Sequence, residues 1–386
     1  MSDLKGVVFP LGAALCALAL VYKSFDLRLG RHDPSLLALL VAFLCKGVSF
    51  TLSTPAVSAW VDEQLGVPDI GALGIHLSGG VASSAAFLVA IVFWVYPPDR
   101  ARLQAVVRVA LAGAIGVAMT ILWAVAATDN REHAKHYLIQ NAHRPVVTAY
   151  LLLYVTAFGV ELIEIIRLSR RYTKFCELPW LRRGLHTTMV GAAVYLVYCL
   201  DRGSVAIAVR IGLDPMRWEI VTPISNGLGI LLITAGFTMP SWGPRLSAGK
   251  HWVRDYITYA RLYPLWRAVY QATPAIALDP PASWLADRLT LRSLGYRLYR
   301  RVIEIQDGYR ALRPYLADDA ATSAADTAAH IREAIHAKTR SMPAQHLGHT
   351  AVMVHDSGDY RSEITRLLHL ARAFDNVPPS ARMKRS

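Results

Sequence analysis

Five ionisable residues interrupt the long apolar segments of this chain, and their side chains are chemically suited to hold a ligand or a proton. They are Lys46 near the middle of the second segment, His76 in the outer part of the third, Asp201 and Arg202 in the outer half of the sixth, and Glu219 at the outer mouth of the seventh. A charged group inside an apolar segment is costly unless it faces a partner or a water-filled cavity. We therefore expect these side chains to face a partner or a water-filled cavity.

Two interpretations of this set remain open. In the first, Lys46 pairs with Asp201 inside a helical bundle, and the other three residues line an outward-facing polar cavity for a ligand or a coupled proton. In the second, Lys46 and Asp201 form a structural ion pair with snorkelling neighbours. Glu161 and Glu164, near the cytoplasmic end of the fifth segment, are expected to be surface partners of the basic loop that follows.

Composition identifies the setting in which these residues must work. The 386 residues are 54% hydrophobic and 18% charged, whereas soluble domains are about 45–50% apolar and about 25% charged. Residues 1–240 hold 20 Lys and Arg against 15 Asp and Glu, and residues 241–386 hold 21 against 13. This division predicts a membrane protein with a basic C-terminal domain, and it excludes a secreted disulfide scaffold, a collagen and a disordered chain.

Seven apolar segments are long enough to cross a bilayer as helices, which need about 20 residues. They are Val7–Tyr22, Leu36–Val57, Ile70–Tyr96, Ala105–Ala127, Val146–Ile166, Leu185–Arg210 and Ile220–Met239. The loops after the first, third and fifth segments contain 11 Lys and Arg, whereas the N-terminus and the remaining loops contain 6. Because cytoplasmic loops carry the excess of Lys and Arg, the N-terminus is expected outside and the C-terminal domain in the cytoplasm.

An aromatic stripe follows the last apolar segment. Its six members recur at spacings of three and four residues, which places them on one face of a helix: Trp252, Tyr256, Tyr259, Tyr263, Trp266 and Tyr270. Together with the Lys and Arg between them, they could lie in the anionic headgroup region of the inner leaflet. They could equally form the core edge of a folded domain, because Pro264 is expected to split the segment into two short helices that could pack inward.

Three further helices are predicted beyond this stripe. The first begins near Thr290 and ends near Pro314, the second covers Ala321–Lys338, and the third runs from Asp359 to about Phe374. No long alternating pattern favours a sheet. The sequence therefore predicts an all-α protein with a seven-helix membrane domain (1–240), a basic-aromatic juxtamembrane segment (241–275) and a helical cytoplasmic domain (276–386).

The sequence contains no constellation of residues typical of an enzyme, and neither a cofactor nor a metal is expected. His133 and His136 are three residues apart, but Glu132 precedes His133 and does not follow it, so the zinc-protease pattern is absent. The loop histidines His346 and His349 lack a Cys or carboxylate pattern. No nucleic acid partner is expected, because no known reader module matches, and attraction to anionic lipid explains the basic charge more simply.

One stretch carries a family resemblance. At Arg300-Arg-Val-Ile-Glu-Ile-Gln-Asp-Gly308, followed by Ala311-Leu-Arg-Pro-Tyr315, the sequence resembles a family of actinobacterial multi-pass membrane proteins that carry the label of transporters. Upstream, Ala277-Leu-Asp-Pro-Pro281 and Leu285-Ala-Asp-Arg-Leu289 fit the same pattern. The resemblance implies a helical C-terminal domain of unknown function after a multi-span half, and it supplies no site residues.

Arg301, Glu304 and Arg313 lie close together along the predicted helix. They are interpreted either as surface pairs or as a docking face for a cytoplasmic regulatory protein. Seven spans with a long tail favour a sensor or regulatory membrane protein of unknown ligand, whereas the family label favours a small-solute transporter with a polar site in the outer half of the bundle.

Overall fold

The computed structural model describes residues 2–27, 33–66, 70–128, 144–210, 220–277, 293–316, 323–340 and 359–376. These residues form helices and short turns without a strand, which confirms the predicted all-α class. Contacts divide the chain into two compact units, Met1–Pro244 and Arg245–Ser386. Each unit has its own hydrophobic core.

The first unit is a bundle of long apolar helices. Its elements are α1 (Ser2–Leu27), α2 (Pro34–Leu52), α3 (Pro55–Leu65), α4 (Ile70–Ile75), a π-helix (His76–Ala82), α5 (Ser83–Val95), α6 (Pro98–Thr128), α7 (Pro145–Thr173), α8 (Pro179–Arg210) and the start of α9 (Val221–Ala272). Large apolar side chains such as Leu11, Val106 and Leu200 are exposed on the outside of the bundle. Lipid would cover such a surface, since soluble proteins rarely expose wide apolar areas.

In the part of the chain that the structure describes, six segments are long and apolar enough to cross a membrane. They are Lys5–Leu27, Pro34–Leu52, Ile70–Val95, Pro98–Ala126, Pro145–Thr173 and the helix Val221–Ala272. The predicted sixth segment, Leu185–Arg210, lies in α8 and is not among them, so the count of seven spans stays a prediction. The charged pair Asp201-Arg202 lowers the hydropathy of that segment.

Helix α8 nevertheless packs closely on α9. A Cβ placed on Gly184 would lie 2.5 Å from the carbonyl oxygen of Gly236, and one on Gly191 would lie 2.9 Å from the backbone nitrogen of Ile233. Glycine therefore allows the two backbones to approach more closely than any side chain would permit. Close contact through small residues is typical of helices that associate in a bilayer.

Two prolines, Pro55 and Pro264, are expected to affect helices, and of the two only Pro55 lies at a helix boundary. The predicted segment Leu36–Val57 stops at Leu52, because Pro55 forces Thr54 into an extended conformation with ψ of 120°. Pro264, in contrast, does not split the aromatic segment: α9 runs uninterrupted from Val221 to Ala272. The predicted domain boundary between residues 240 and 241 also lies inside this helix.

The second unit contains the end of α9 and three further helices. These are α10 (Leu294–Leu312), α11 (Ala324–Thr339) and α12 (Tyr360–Asn376), with 3-10 turns at Pro274–Ile276 and Arg313–Tyr315. The three predicted C-terminal helices are thereby confirmed, and the start expected near Thr290 lies outside the described residues. Their buried apolar residues, with Leu262, Leu265 and Val269 of α9, form one core.

Candidate functional site

A seven-residue π-helix, His76–Ala82, interrupts the third membrane helix. Glycine makes the close approaches around it: a Cβ on Gly79 would overlap Ser49, and one on Gly80 would overlap the ring of Tyr154. Ser49 also donates a hydrogen bond to the carbonyl of Ile75 at 3.0 Å. Single π-turns inside α-helices are rare and frequently mark functional sites.

Lys46 of α2 points at this π-helix. Its ammonium donates a hydrogen bond to the carbonyl oxygen of Gly79 at 2.9 Å, and the residue is only 5% exposed. The Nζ atom also lies 4.5 Å from the ring centroid of Tyr195 and 5.3 Å from that of Phe158. Such cation–π contacts stabilise a desolvated ammonium without a carboxylate.

The structure gives Lys46 and Asp201 other partners than the expected pairing with each other. Asp201 instead accepts a hydrogen bond from the hydroxyl of Thr222 at 2.7 Å, so it is held by α9, while Lys46 is held by the π-helix. Within the described residues no ion pair joins them. Glu219 lies outside the described residues.

His76 and three tyrosines extend the polar network. His76 Nδ1 lies 2.9 Å from the hydroxyl of Tyr150, and its ring stacks on Tyr154 with centroids 4.1 Å apart. The hydroxyl of Tyr154 lies 3.2 Å from that of Tyr198, and the guanidinium of Arg202 lies 6.0 Å from the Tyr198 ring. We call the set Lys46, His76, Tyr150, Tyr154 and Tyr198 the π-helix cluster.

The structure corrects the interpretation of Glu161 and adds a second partner to Glu164. Glu161 turns into the bundle, where its carboxylate accepts a hydrogen bond from Ser84 of α5. Glu164 pairs with Arg108 of α6 at 3.9 Å as well as with Arg167 at 3.3 Å. Arg108 is largely buried. Both glutamates therefore hold helices of the bundle together.

Sequence reasoning missed the π-helix and the site around Glu161. A signal was present: Ser78, Gly79, Gly80, Ser83 and Ser84 form a run of small and polar residues inside an otherwise apolar span. Small residues alone, however, do not distinguish a π-turn from ordinary close packing.

In the second unit, Arg301 is a buried cation with several polar and aromatic partners. It is 3% exposed, and its guanidinium donates to the carbonyl oxygen of Tyr259 at 3.1 Å and to the Tyr259 hydroxyl at 2.8 Å. The guanidinium carbon also lies 3.6 Å from the Tyr259 ring centroid and 4.7 Å from that of Trp266. These contacts fix α10 on α9.

The predicted docking face is consequently not one surface. Glu304 accepts a hydrogen bond from Trp266 Nε1 at 2.7 Å and pairs with Arg300 at 2.9 Å, so like Arg301 it joins α10 to α9. Only Arg313 is exposed. The sequence places these residues near one another but does not reveal that α9 covers two of them.

The aromatic stripe is also divided. Tyr259 and Trp266 are buried in the core of the second unit, and Tyr256, Tyr263 and Tyr270 are partly buried against it. Trp252 is 40% exposed. The C-terminal part of the stripe is therefore core, and only its beginning could lie against lipid.

An ion pair within α12 and a hydrogen bond from α10 share one carboxylate. Arg366 donates to the carboxylate of Glu363 at 2.6 Å and 2.9 Å, and Gln306 of α10 donates to it at 3.0 Å. These hydrogen bonds, chiefly those from Arg366, lower the pKa of Glu363 from its usual value, although burial opposes the shift. The described residues contain no group of three or more His, Cys, Asp or Glu that could hold a metal; His133, His136, His346 and His349 lie outside them.

Fold and site together define an all-helical membrane protein with a separate C-terminal helical domain. Residues 251–376 match the model of a family described only as a family of unknown function, DUF6545. This match covers a third of the chain and agrees with the domain of unknown function that the sequence resemblance implies. No curated protein and no solved structure matches the chain.

Proposed function

We propose that the protein is a sensor or regulatory membrane protein that relays a change at the π-helix cluster to its C-terminal helical domain. One observation carries the proposal: α9 supplies residues to both cores. Ile230, Ile233 and Phe237 lie in the core of the first unit, and Leu262 and Trp266 lie in that of the second. A shift of this uninterrupted helix would thus disturb packing in either core.

The π-helix cluster is suited to be the sensing end. Lys46 is buried without a carboxylate partner among the described residues and makes a single hydrogen bond, to Gly79, although an ammonium has three N–H donors. The hydroxyl of Tyr195, whose ring lies beside Lys46, is also buried without a hydrogen-bond partner in the described part of the chain. A ligand that carries a hydrogen-bond acceptor would satisfy these donors. We propose ligands of that class for the π-helix cluster.

The proposed orientation places the N-terminus outside and the C-terminal domain in the cytoplasm, where a regulatory protein and the anionic inner leaflet are its partners. Exposed Arg313 offers a topology test. In a background without the four native cysteines, a membrane-impermeant maleimide should label Arg313→Cys in inside-out vesicles and not in right-side-out vesicles. Labelling only in right-side-out vesicles would reverse the orientation.

The relay is tested by hydrogen–deuterium exchange on the full-length protein in nanodiscs. Lys46→Met should alter amide exchange in α10 and α12 by at least about fivefold, the lower range of typical coupling between sites. Leu44→Met is the matched control, because Leu44 lies on the same helix with its side chain exposed on the outside of the bundle. If both variants leave exchange in α10 and α12 unchanged, the relay proposal fails.

Transport of a small solute is the second candidate, and the polar contacts of the π-helix cluster favour it. His76 is hydrogen-bonded to Tyr150 and stacks on Tyr154, whose hydroxyl is hydrogen-bonded to that of Tyr198. A transporter needs a midplane site that is reached alternately from the two sides. We therefore suggest labelling Ser49→Cys, beside the π-helix, with the impermeant maleimide from each face. Labelling from both faces favours transport, and labelling from the outside alone favours sensing.

A further inference from the structure

We propose that Glu161, Ser84 and the carbonyl oxygen of Gly80 form a binding site for one monovalent cation, either a proton or Na⁺. The site is separate from Lys46 and does not rest on the proposed sensing function. Its basis is the position of Glu161, the number of hydrogens available to the three oxygens, and the partners of the surrounding charges.

The first argument is the depth at which Glu161 and Ser84 lie along the candidate span. Ser84 lies fourteen residues after Ile70 and eleven before Val95, the two ends of a candidate span, so it is close to the middle of that helix. Ser84 is buried, and Glu161 contacts it from α7. A carboxylate at such a depth is costly unless a positive charge neutralises it.

The surrounding charges do not supply that neutralisation. Within the described residues Glu161 forms no ion pair. Several ionisable groups on its own and neighbouring helices have other partners: Glu164 with Arg108 and Arg167, Lys46 with Gly79, and His76 with Tyr150. Within the described residues no cationic side chain therefore neutralises Glu161, and in our proposal a bound cation does so.

The number of hydrogens available to the oxygens of Ser84, Glu161 and Gly80 gives an independent argument. The Ser84 hydroxyl lies within hydrogen-bonding distance of both the Glu161 carboxylate and the Gly80 carbonyl oxygen. A hydroxyl carries one hydrogen, and neither of the other two groups has one when Glu161 is ionised. The ionised carboxylate and the Gly80 carbonyl oxygen therefore compete for that one hydrogen, and a proton on Glu161 or a small cation among the three oxygens would end the competition.

The chemistry of the oxygens suits both occupants. A protonated Glu161 would donate to Ser84, which would then donate to Gly80. Alternatively, a carboxylate, a hydroxyl and a backbone carbonyl from an irregular helix segment are the kinds of ligand that coordinate Na⁺ or H⁺ in transport proteins. Gly80 belongs to the π-helix, so occupation of the site would act directly on that segment.

Infrared spectroscopy of the full-length protein in lipid bilayers tests the proposal. After dialysis into choline chloride, the parent should show the carbonyl band of a protonated carboxylic acid. Glu161→Gln should abolish it, and the matched variant Glu164→Gln should retain it. Ser84→Ala, which removes a hydrogen-bond partner without touching the carboxyl, should move the band to higher frequency.

Replacement of choline by Na⁺ at constant ionic strength separates the two occupants. Saturable loss of the band, with a Na⁺-dependent rise in the thermal midpoint of the parent but not of Glu161→Gln, identifies a Na⁺ site. A band that Na⁺ leaves unchanged identifies a proton site. Absence of the band in choline, or its survival in Glu161→Gln, overturns the proposal.

Discussion

The ammonium of Lys46 binds the carbonyl oxygen of Gly79 at 2.9 Å, so a buried cation of α2 is held by the backbone of a π-helix and not by a carboxylate. The carbonyl does not depend on this bond, because the hydroxyl of Ser83 also donates to it at 2.6 Å. Lys46 is therefore desolvated without an evident structural need, which is the basis of the first prediction.

Lys46→Met should leave the protein as stable as the parent or more stable, by up to about 2 kcal/mol, because it removes a desolvated charge and retains an unbranched side chain against the aromatic rings. Thermal unfolding in detergent micelles measures the change, with Leu44→Met as the control. A loss greater than about 2 kcal/mol would identify Lys46 as a structural residue.

Arg301→Ala should destabilise the second unit by about 2–4 kcal/mol, because it removes two hydrogen bonds from a charged donor and the stacking on Tyr259. Arg301→Lys should restore only part of this loss, since an ammonium cannot reproduce the planar fork. Amide exchange in α10 of the full-length protein provides the measurement.

Exposed Arg313 is the matched control for Arg301. Arg313→Ala should change the stability by less than about 0.5 kcal/mol. Equal effects of the two alanine variants would contradict the buried position of Arg301.

Gly308→Ala should cost about 1–3 kcal/mol through overpacking, because the added Cβ would overlap the side chain of Val269. Gly295 lies on the same helix, and a Cβ there meets nothing within 4 Å. Gly295→Ala should therefore stabilise α10 by up to about 1 kcal/mol. Chemical unfolding followed by amide exchange compares the two, and a loss of stability in both would argue against this packing of α10 on α9.

The lowered pKa of Glu363 predicts that the stability of the fold depends on pH. Because the pKa of the folded carboxyl lies below its usual value of 4.5, its contribution to stability is complete above that value and is lost as pH falls through the folded pKa. The stability difference between the parent and Glu363→Gln should accordingly be constant near neutral pH and shrink below pH 4.5.

The exposed pair Asp307–Arg310 is the control for this titration. Asp307→Asn should change stability by less than about 0.5 kcal/mol at neutral pH. A difference between the parent and Glu363→Gln that persists undiminished in acid would show that the carboxylate charge does not stabilise the fold.

The helices could be predicted from the sequence because apolar periodicity records which face is buried. Leu294, Leu298, Val302 and Ile305 recur at helical spacing and all lie in the core of the second unit. The same periodicity cannot identify the opposing surface. It places Tyr259 and Trp266 on one helix face. It does not tell whether lipid or a side chain such as Arg301 covers that face.

The partners of the polar residues could not be predicted for a related reason. Lys46 and Asp201 are complementary in charge, and the sequence gives no distance between their helices. The π-turn rotates the residues that follow it relative to those that precede it, which no regular period anticipates. The contact of Lys46 with Gly79 and that of Ser84 with Glu161 each join residues far apart in the chain, so neither could be predicted.

The π-helix His76–Ala82 also has an evolutionary consequence. A π-turn is equivalent to one residue inserted into an α-helix, so a related protein lacking a residue here would show a gap inside a membrane span. Deletion of Gly79 would restore regular winding and turn the residues beyond it by about 100° relative to those before. Lys46 and Glu161 would then face different carbonyls, and a single-residue gap in relatives would mark the loss of both sites.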